Sequence, residues 1–344
     1  MISFIVDHNS RIPYYKQIVQ QFEKALGDGS ISEGEMLPSL NVLAQRLDVS
    51  RETVKKAYGI LLDRSLVAAR QGKGCFVRNV AEGKYLRVLI ISDIHSIYKQ
   101  MLLGAFQERL SCRGDIDVTV LVHNQDISLL KYYLDRSLDN YDWYVIIPHF
   151  PLDAPVQQEL LRQLRRIPNK KLILLDRKID ALPGNYGAVY QDFANDPCEA
   201  LTAQSAAFAG KGRLNVGVLP SSLYKEELKD SLREFAAGQQ REIVFCEGVP
   251  TQILPGDVCI LLSSQHDNGL VALAQKMGEL GLTVGRDAFI IGYNDIPINA
   301  LVLEGLTCLS TDFACMGRTA AEMILSGTPG KIHNPFRLIR RKTF

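Results

Sequence analysis

Two sets of residues in this chain have types and spacings that could do chemistry. The first is read from LPSLNVLAQRLDVSRETVKKAY, residues 37–58. Ser39 and Ser50 each stand just before an apolar-periodic run, where a hydroxyl can accept a hydrogen bond from an early helix N–H. Val42, Leu43, Ala44 and Leu47 give the first run its apolar side, and Val54, Ala57, Tyr58 and Leu61 the second. Arg51, Glu52 and Lys55 then project from another face of the second helix, in its first turns. Long polar side chains on an N-terminal turn, with the opposite face buried, suit the DNA major groove. Periodicity alone is equally met by an ordinary amphipathic helix pair.

The second set lies at the ends of short apolar runs in the rest of the chain: Ser92-Asp93, Pro148-His149, Asp176-Arg177, residues 263–267 (Ser-Ser-Gln-His266-Asp267) and Asn294-Asp295. If those runs are parallel strands, their carboxyl ends meet in the crevice where such folds bind ligands. Carboxylates and amides beside Tyr98 and Tyr293 can pair with vicinal hydroxyls and offer an aromatic face, which is sugar-binding chemistry. Helix capping is the competing role, most directly for Asp267 and for Asp295 before Ile296-Pro297.

The elements that must position these residues differ along the chain. Residues 1–9 read as a short strand or arm. Pro13 suits a first helical turn, and Tyr14, Ile18, Phe22, Ala25 and Leu26 recur at helical spacing up to Gly27-Asp28-Gly29. Past the helix pair, residues 66–70 and 75–78 predict two strands around Gln71-Gly72-Lys73-Gly74. That hairpin tip could bring Lys73 to phosphate or minor groove, although the glycines also fit plain turn geometry. Residues 79–86 read as a linker. From 87 to 344 short apolar strands alternate with helices predicted near 101–110, 127–138, 156–166, 197–209, 225–236 and 269–280. This pattern predicts parallel sheets covered on both faces, in two successive halves that form two lobes.

Composition bounds the answer. A chain of 344 residues is long for one domain, and 47% hydrophobic with 22% charged residues predicts sizeable soluble cores. The net charge of +1 hides a local basic strip: Arg51, Lys55, Lys56, Arg64, Arg70, Lys73 and Arg78 are opposed only by Glu52 and Asp63. The 7 cysteines are scattered without a Cys-x-x-Cys pair, which predicts reduced core thiols and no metal site. No apolar run reads as a membrane span or a signal peptide, so no membrane partner and a cytoplasmic location are expected.

The N-terminal motifs carry a resemblance. Pro13-Tyr14-Tyr15-x-Gln17-Ile18, Gly34-x-x-Leu37-Pro38-Ser39, Val49-Ser50-Arg51-x-Thr53-Val54 and Gln71-Gly72-Lys73-Gly74-x-Phe76-Val77 resemble the winged helix-turn-helix of the gluconate-repressor (GntR) family over residues 10–78. Residues 87–344, through LLDRKID, LGLTVGRDAFIIGYNDIP, LTCLSTDF, GRTAAEMIL and the closing strand PFRLIRRKTF, are similar to the effector domain of LacI-type repressors and to periplasmic sugar-binding proteins. The resemblance implies an α/β chain in three parts: a DNA-binding domain over 1–78, a linker over 79–86 and a two-lobed effector domain over 87–344.

The same resemblance implies DNA contacts from Ser39, Asn41, Ser50, Arg51, Glu52, Thr53, Lys55, Gln71, Gly72 and Lys73. It implies effector contacts from Asp176, Arg177, His266, Asp267 and Asn294, to which the strand-end reading adds Asp93, Tyr98 and Asp295. Three positions depart from the family pattern. Asn41 stands where an arginine is frequent, His266 replaces an asparagine, and Leu228 replaces an arginine that grips acidic ligands. The last change favours a neutral sugar over a carboxylate or phosphate. An arabinose-responsive repressor group combines the same two domains. The resulting expectation is a homodimeric repressor of a sugar-catabolism operon, binding double-stranded operator DNA under control of a monosaccharide, with no enzymatic activity and no cofactor. The alternatives are a DNA-binding domain fused to a pyridoxal-phosphate enzyme fold, disfavoured because no lysine was read at a strand end, and a transport-type sugar-binding protein, which leaves 10–78 without a purpose.

Overall fold

The computed structural model describes residues 4–8, 10, 12–32, 34–64, 66–70, 74–77, 86–94, 96–218, 223–262 and 269–344. The expected linker, except Leu86, the hairpin tip Gln71-Gly72-Lys73 and residues 263–268, with His266 and Asp267, lie outside the described residues. The chain divides into two compact units, Met1–Tyr85 and Leu86–Phe344.

In the first unit α1 (Tyr14–Gly27) buries Ile18, Val19, Phe22 and Ala25. Pro13 occupies its N-cap, one residue before the first turn. Residues 4–8 form no strand. They are an arm held to α1 by side-chain amides: the Ile5 N–H donates to Gln21 Oε1 and the Asp7 N–H to Gln17 Oε1, each at 2.9 Å. The helix pair is α2 (Leu40–Leu47) and α3 (Arg51–Asp63). Val42, expected on the apolar side of α2, is 42% exposed, and Leu43, Ala44 and Leu47 carry the burial instead. Asp48 makes the turn in the left-handed region at φ 51°, which an aspartate tolerates better than most residues. The Tyr58 hydroxyl on α3 donates to the Pro38 carbonyl at 2.8 Å, fixing the entry to α2 against the second helix.

Strands β1 (Val67–Arg70) and β2 (Gly74–Val77) pair antiparallel with Val67 opposite Val77. Residues 34–37 add a third edge: Gly34 N–H donates to Val77 O, Val77 N–H to Glu35 O and Leu37 N–H to Cys75 O, all at 2.8 Å. Sequence periodicity gave no sign of this edge, because a bridge of four residues is too short to show a period.

The second unit has two six-stranded sheets. The first begins with β3 (Leu86–Ser92), α4 (Ile97–Ser111), β4 (Ile116–Val122), α5 (Ile127–Ser137), β5 (Trp143–Ile146), α6 (Ala154–Leu164), β6 (Leu172–Asp176) and β7 (Gly187–Tyr190). The chain then crosses to the second sheet through α7 (Asp196–Thr202), β8 (Leu214–Val218), α8 (Lys225–Gly238), β9 (Ile243–Glu247), β10 (Val258–Leu262), α9 (Leu270–Glu279), β11 (Phe289–Tyr293) and β12 (Thr307–Thr311). It returns to the first sheet with α10 (Phe313–Ser326) and β13 (Lys331–His333), and crosses once more for β14 (Phe336–Ile339).

The sheet orders are β13-β7-β6-β5-β3-β4 and β14-β12-β11-β10-β8-β9. Every ladder is parallel except β14 against β12. Strands β3, β5 and β6 are buried on both faces. Val88, Ile90 and Val145 share a core with residues of α4 and α10, while Leu89, Ile91 and Ile146 share another with residues of α5 and α6. The two lobes are therefore not two successive halves of sequence. Apolar periodicity reports that a strand is buried, not which sheet it joins, so the return of α10 and β13 to the first lobe was hidden.

Candidate functional site

At the N-terminus of α3, Ser50 Oγ accepts the Thr53 N–H at 3.1 Å and lies 2.8 Å from Thr53 Oγ1. Ser39 Oγ accepts the Val42 N–H at 3.3 Å. These three hydroxyl residues thus set the helix starts. Arg51, Glu52 and Lys55 emerge from the capped turn into solvent, and Asn41 is exposed on the first turn of α2. Lys55 Nζ meets Glu52 Oε2 at 3.6 Å in an exposed pair, which solvent or a phosphate can displace at little cost. Lys56 Nζ sits 4.0 Å from the Tyr15 ring centre and ties α3 to α1. A solvent-facing helix N-terminus carrying cations and hydrogen-bonding side chains can meet phosphates and base edges.

In the second unit the carboxyl ends of the parallel strands open on a cleft of about 550 Å³, its mouth included. Asp93 follows β3, His149 follows β5, Asp176 ends β6, and Gln191 with Phe193 follows β7. The second sheet contributes Tyr293 and Asn294 at the end of β11, with Tyr224 and Leu228 at the start of α8. Asp176 at φ 70° and Asn294 at φ 65° both adopt the left-handed conformation as the chain leaves its strand. Such backbone outliers concentrate at functional sites, and Asp and Asn accept them most readily after Gly.

Buried charge is concentrated on the cleft floor. Lys99, on α4, places Nζ 2.8 Å from Asp176 Oδ2 and 3.5 Å from Asp93 Oδ1, with all three side chains at most 2% exposed. His149 Nδ1 is 3.7 Å from Asp93 Oδ2, and Nε2 is 3.4 Å from Asp176 Oδ2. Gln191 Nε2 donates to Asp176 Oδ1 at 2.5 Å, and the Tyr293 hydroxyl donates to Gln191 Oε1 at 3.3 Å. Burial opposes ionisation of both carboxyls, yet Lys99 and then His149 hold them below their ordinary value. Burial likewise works against the Lys99 ammonium, and Asp176 with Asp93 overcomes it and raises its pKa. Burial, aided by Lys99, pushes the His149 imidazole down to about 4, so it is uncharged near neutrality.

Aromatic rings wall the cleft. Phe193 and Tyr224 stack with ring centres 4.1 Å apart, and Tyr224 meets His149 edge-on at 5.3 Å. Among the described residues, His149 Nε2 and Asn294 Oδ1 are buried without a hydrogen-bond partner. Polar atoms left in that state are expected where a ligand or water completes the bonding.

Of the effector contacts expected from sequence, Asp93, Tyr98, Asp176 and Asn294 meet at this cleft. Arg177 stands beside it, its guanidinium carbon 5.3 Å from the Tyr224 ring centre and Nη1 3.5 Å from Gln157 Oε1. Asp295 is a correction. Its carboxylate is taken by Arg341 in a two-pronged pair at 2.8 and 2.7 Å, which spends it on anchoring the C-terminal segment. His266 and Asp267 lie outside the described residues. Lys99, Gln191, Phe193 and Tyr224 were missed. For Lys99 a signal existed: it shares the spacing of Leu102, Leu103 and Phe106, a lysine set in an apolar helical stripe. Gln191, Phe193 and Tyr224 sit in connections between lobes or before a helix, where no period marks them.

Residues 14–77 match the family described as bacterial regulatory proteins, gntR family, and residues 231–344 match the periplasmic binding protein-like domain. The transcriptional repressor YtrA of Bacillus subtilis is 31% identical over 105 residues, covering 29% of this chain and 76% of YtrA. The mannosyl-D-glycerate transport/metabolism system repressor MngR of Escherichia coli is 30% identical over 148 residues, covering 43% of this chain and 46% of MngR. The chain therefore spans less than half of MngR. Among solved structures, a LacI family transcriptional regulator from Bifidobacterium animalis subsp. lactis superposes with a TM-score of 0.59 at 17% identity, over 76% of this chain and 98% of the other. The trehalose repressor from Escherichia coli gives 0.58 at 12%, over 74% and 100%. At these identities the structural likeness establishes the two-lobed fold. Among the described residues no group of three or more His, Cys, Asp and Glu could hold a metal ion, and no helix is long and apolar enough to cross a membrane.

Proposed function

The chain belongs to the gntR family of bacterial regulatory proteins, joined to a LacI-type effector domain, and from that premise we propose that it represses a sugar-catabolism operon under control of a neutral monosaccharide. It binds double-stranded operator DNA as a homodimer in the cytoplasm, reading base edges from the first turn of α3. Arg51, Glu52 and Lys55 make the reading contacts. Ser39, Ser50 and Thr53 set the helix starts, Asn41 faces the DNA from the first turn of α2, and Gln71, Gly72 and Lys73 contact phosphate or minor groove.

One observation carries the ligand reading. Asp93, His149 and Asp176 from one sheet face Tyr224, Tyr293 and Asn294 from the other across a single cleft. Carboxylates accept hydroxyl hydrogens, an uncharged imidazole can do either, and the rings offer apolar faces, as a pyranose or furanose requires. Leu228, buried in the wall, offers no charge to a carboxylate or phosphate. The homodimer reading draws on an apolar hollow of about 880 Å³, its mouth included, between α9 and residues 297–304, rimmed by Ile97, Val271 and Ile298, with Leu301 76% exposed nearby. Contiguous apolar surface of this kind marks an interface, and a patch that offers both a knob and a hollow suits a two-fold contact.

A thermal-shift screen over neutral aldoses tests the ligand reading. A sugar at about 100 times its Kd stabilises the native state by about 2.7 kcal/mol. The reading holds if at least one aldose raises the transition and Asn294→Leu removes most of that rise. It fails if no aldose does, or if the variant responds as wild type does.

A further inference from the structure

The ammonium of Lys99 is fully buried beneath the cleft, between the two carboxylates that line its floor. We propose that Lys99 is a positioning residue that sets the ligand class of the cleft: by sharing one positive charge between Asp93 and Asp176, it fixes the floor as a receptor for uncharged polyhydroxyl ligands. This rests on the sugar reading given above and adds to it the residue that selects for charge.

Charge must balance in a dry site. Two carboxylates this close cannot both stay ionised without a partner, and one of them or a neighbouring base would take up a proton. Lys99 supplies the partner from below, and both carboxyls line the cleft. The groups around His149 are Asp93 after β3, Lys99 on α4, Asp176 at the end of β6, Arg177 beside it and Tyr224 before α8. With Lys99 and Arg177 set against Asp93 and Asp176, the imidazole has no net charge to neutralise. Uncharged, it carries one N–H and one lone pair, and its buried Nε2 makes no hydrogen bond among the described residues although Asp176 Oδ2 lies 3.4 Å away. Hydroxyl groups satisfy that pattern. An ammonium or a carboxylate on the ligand would upset a balance already met by the protein, and an uncompensated charge buried in such a site is strongly unfavourable.

The test reads His149 directly, by nuclear magnetic resonance of its ring nitrogens without ligand, assigned through His149→Asn. In wild type the ring is uncharged at pH 6. In Lys99→Met, and in Lys99→Gln, which keeps a hydrogen-bond donor for Asp176 if the first variant folds poorly, His149 should bind its proton ~100-fold more tightly and be about half charged at that pH. Lys99→Arg should restore the uncharged ring, which a role in packing alone would not predict. A second arm compares D-glucose and D-galactose with their 2-amino-2-deoxy and uronic acid forms. At about pH 7.5, where His149 is uncharged in the variant too and the site lacks one positive charge, wild type should favour the neutral sugars and Lys99→Gln should improve the amino sugars about tenfold relative to their parents. An imidazole still uncharged at pH 6 in both Lys99 variants overturns the inference, whatever sugars bind. If His149 shifts as expected but wild type binds none of these sugars, the ligand class is overturned together with the sugar reading, so the two failures are distinct.

Discussion

Arg51 leaves the first turn of α3 with its side chain in solvent and with Ser50 capping the helix behind it, so its loss should remove a contact and spare the fold. Arg51→Ala is predicted to weaken binding to a selected operator by roughly 1–3 kcal/mol, with the thermal transition and ligand binding unchanged. Footprinting at fixed salt checks it, and wild-type affinity in the variant would remove Arg51 from the reading set. His149 makes a prediction about pH. Its folded imidazole is held at about 4, against an ordinary 6.5. Between those values the unfolded chain binds a proton that the folded chain refuses, so stability falls as pH drops from 6.5 towards 4. Wild type should lose on the order of 3 kcal/mol more than His149→Asn over that window, in unfolding of the effector unit at a series of pH values. Parallel acid curves would contradict the buried, uncharged assignment. At this scale Asp93, Asp176 and Asn294 could be read from sequence because a polar residue closing an apolar run is visible there. Lys99 escaped because a lysine inside a helix reads as surface unless its stripe is followed residue by residue, and Asp295 misled because its partner Arg341 lies 46 positions away.

Helices α4 and α10 meet so closely that glycine decides their contact. A Cβ on Gly317 would stand 2.2 Å from the Leu102 carbonyl oxygen and 3.0 Å from the Phe106 nitrogen, both backbone atoms with no freedom to yield. Gly104, on α4 itself, would meet nothing within 4 Å. The same chemical change is therefore predicted to act with opposite sign. Gly317→Ala should destabilise the effector unit by about 1–3 kcal/mol or more, and Gly104→Ala should stabilise it by roughly 0.5–1 kcal/mol through helix propensity. Calorimetric unfolding of both variants checks this, and equal signs would show that the helices do not pack through Gly317. Elements with a strong period were legible nearly to the residue, as in α1 and α8, whose last turns are marked by Gly27 and Gly238. Helix α4 begins at Ile97 rather than near Met101, because Ser96 caps it through the Lys99 N–H and its apolar residues are spread too widely for the start to show. The helix read over 197–209 breaks into α7 and a 3-10 turn over Ser205–Phe208, since the second piece packs Phe208 inward at a different spacing.

The two lobes of the effector unit are joined by three crossings of the chain, and Asn334 binds them together. Its N–H donates to Tyr190 O at 2.7 Å, and its side-chain amide donates to Thr311 Oγ1 at 2.7 Å and Asp312 O at 2.9 Å. The three crossings meet at this one buried side chain, and a hinge rotation of the lobes would turn about it. A ligand that bridges the lobes through Asp176 and Asn294 then biases one rotation, provided it binds the two arrangements unequally. None of these crossings was legible, because each is a few residues of unremarkable sequence whose meaning comes from the sheets on either side. The two-unit organisation was legible, because apolar periodicity changes from a helix pair and hairpin to strands alternating with helices beyond the first 85 residues. The central claim is that occupancy of the cleft controls DNA affinity, and operator affinity measured by fluorescence anisotropy as the sugar from the screen is titrated tests it most directly. The account predicts a roughly 5–150-fold change in wild type. In Asn294→Leu it predicts an unchanged affinity without sugar and a response displaced to ~10-fold or more higher sugar, as the loss of a buried hydrogen bond requires. A sugar that binds the cleft by calorimetry yet leaves operator affinity the same in wild type would contradict it.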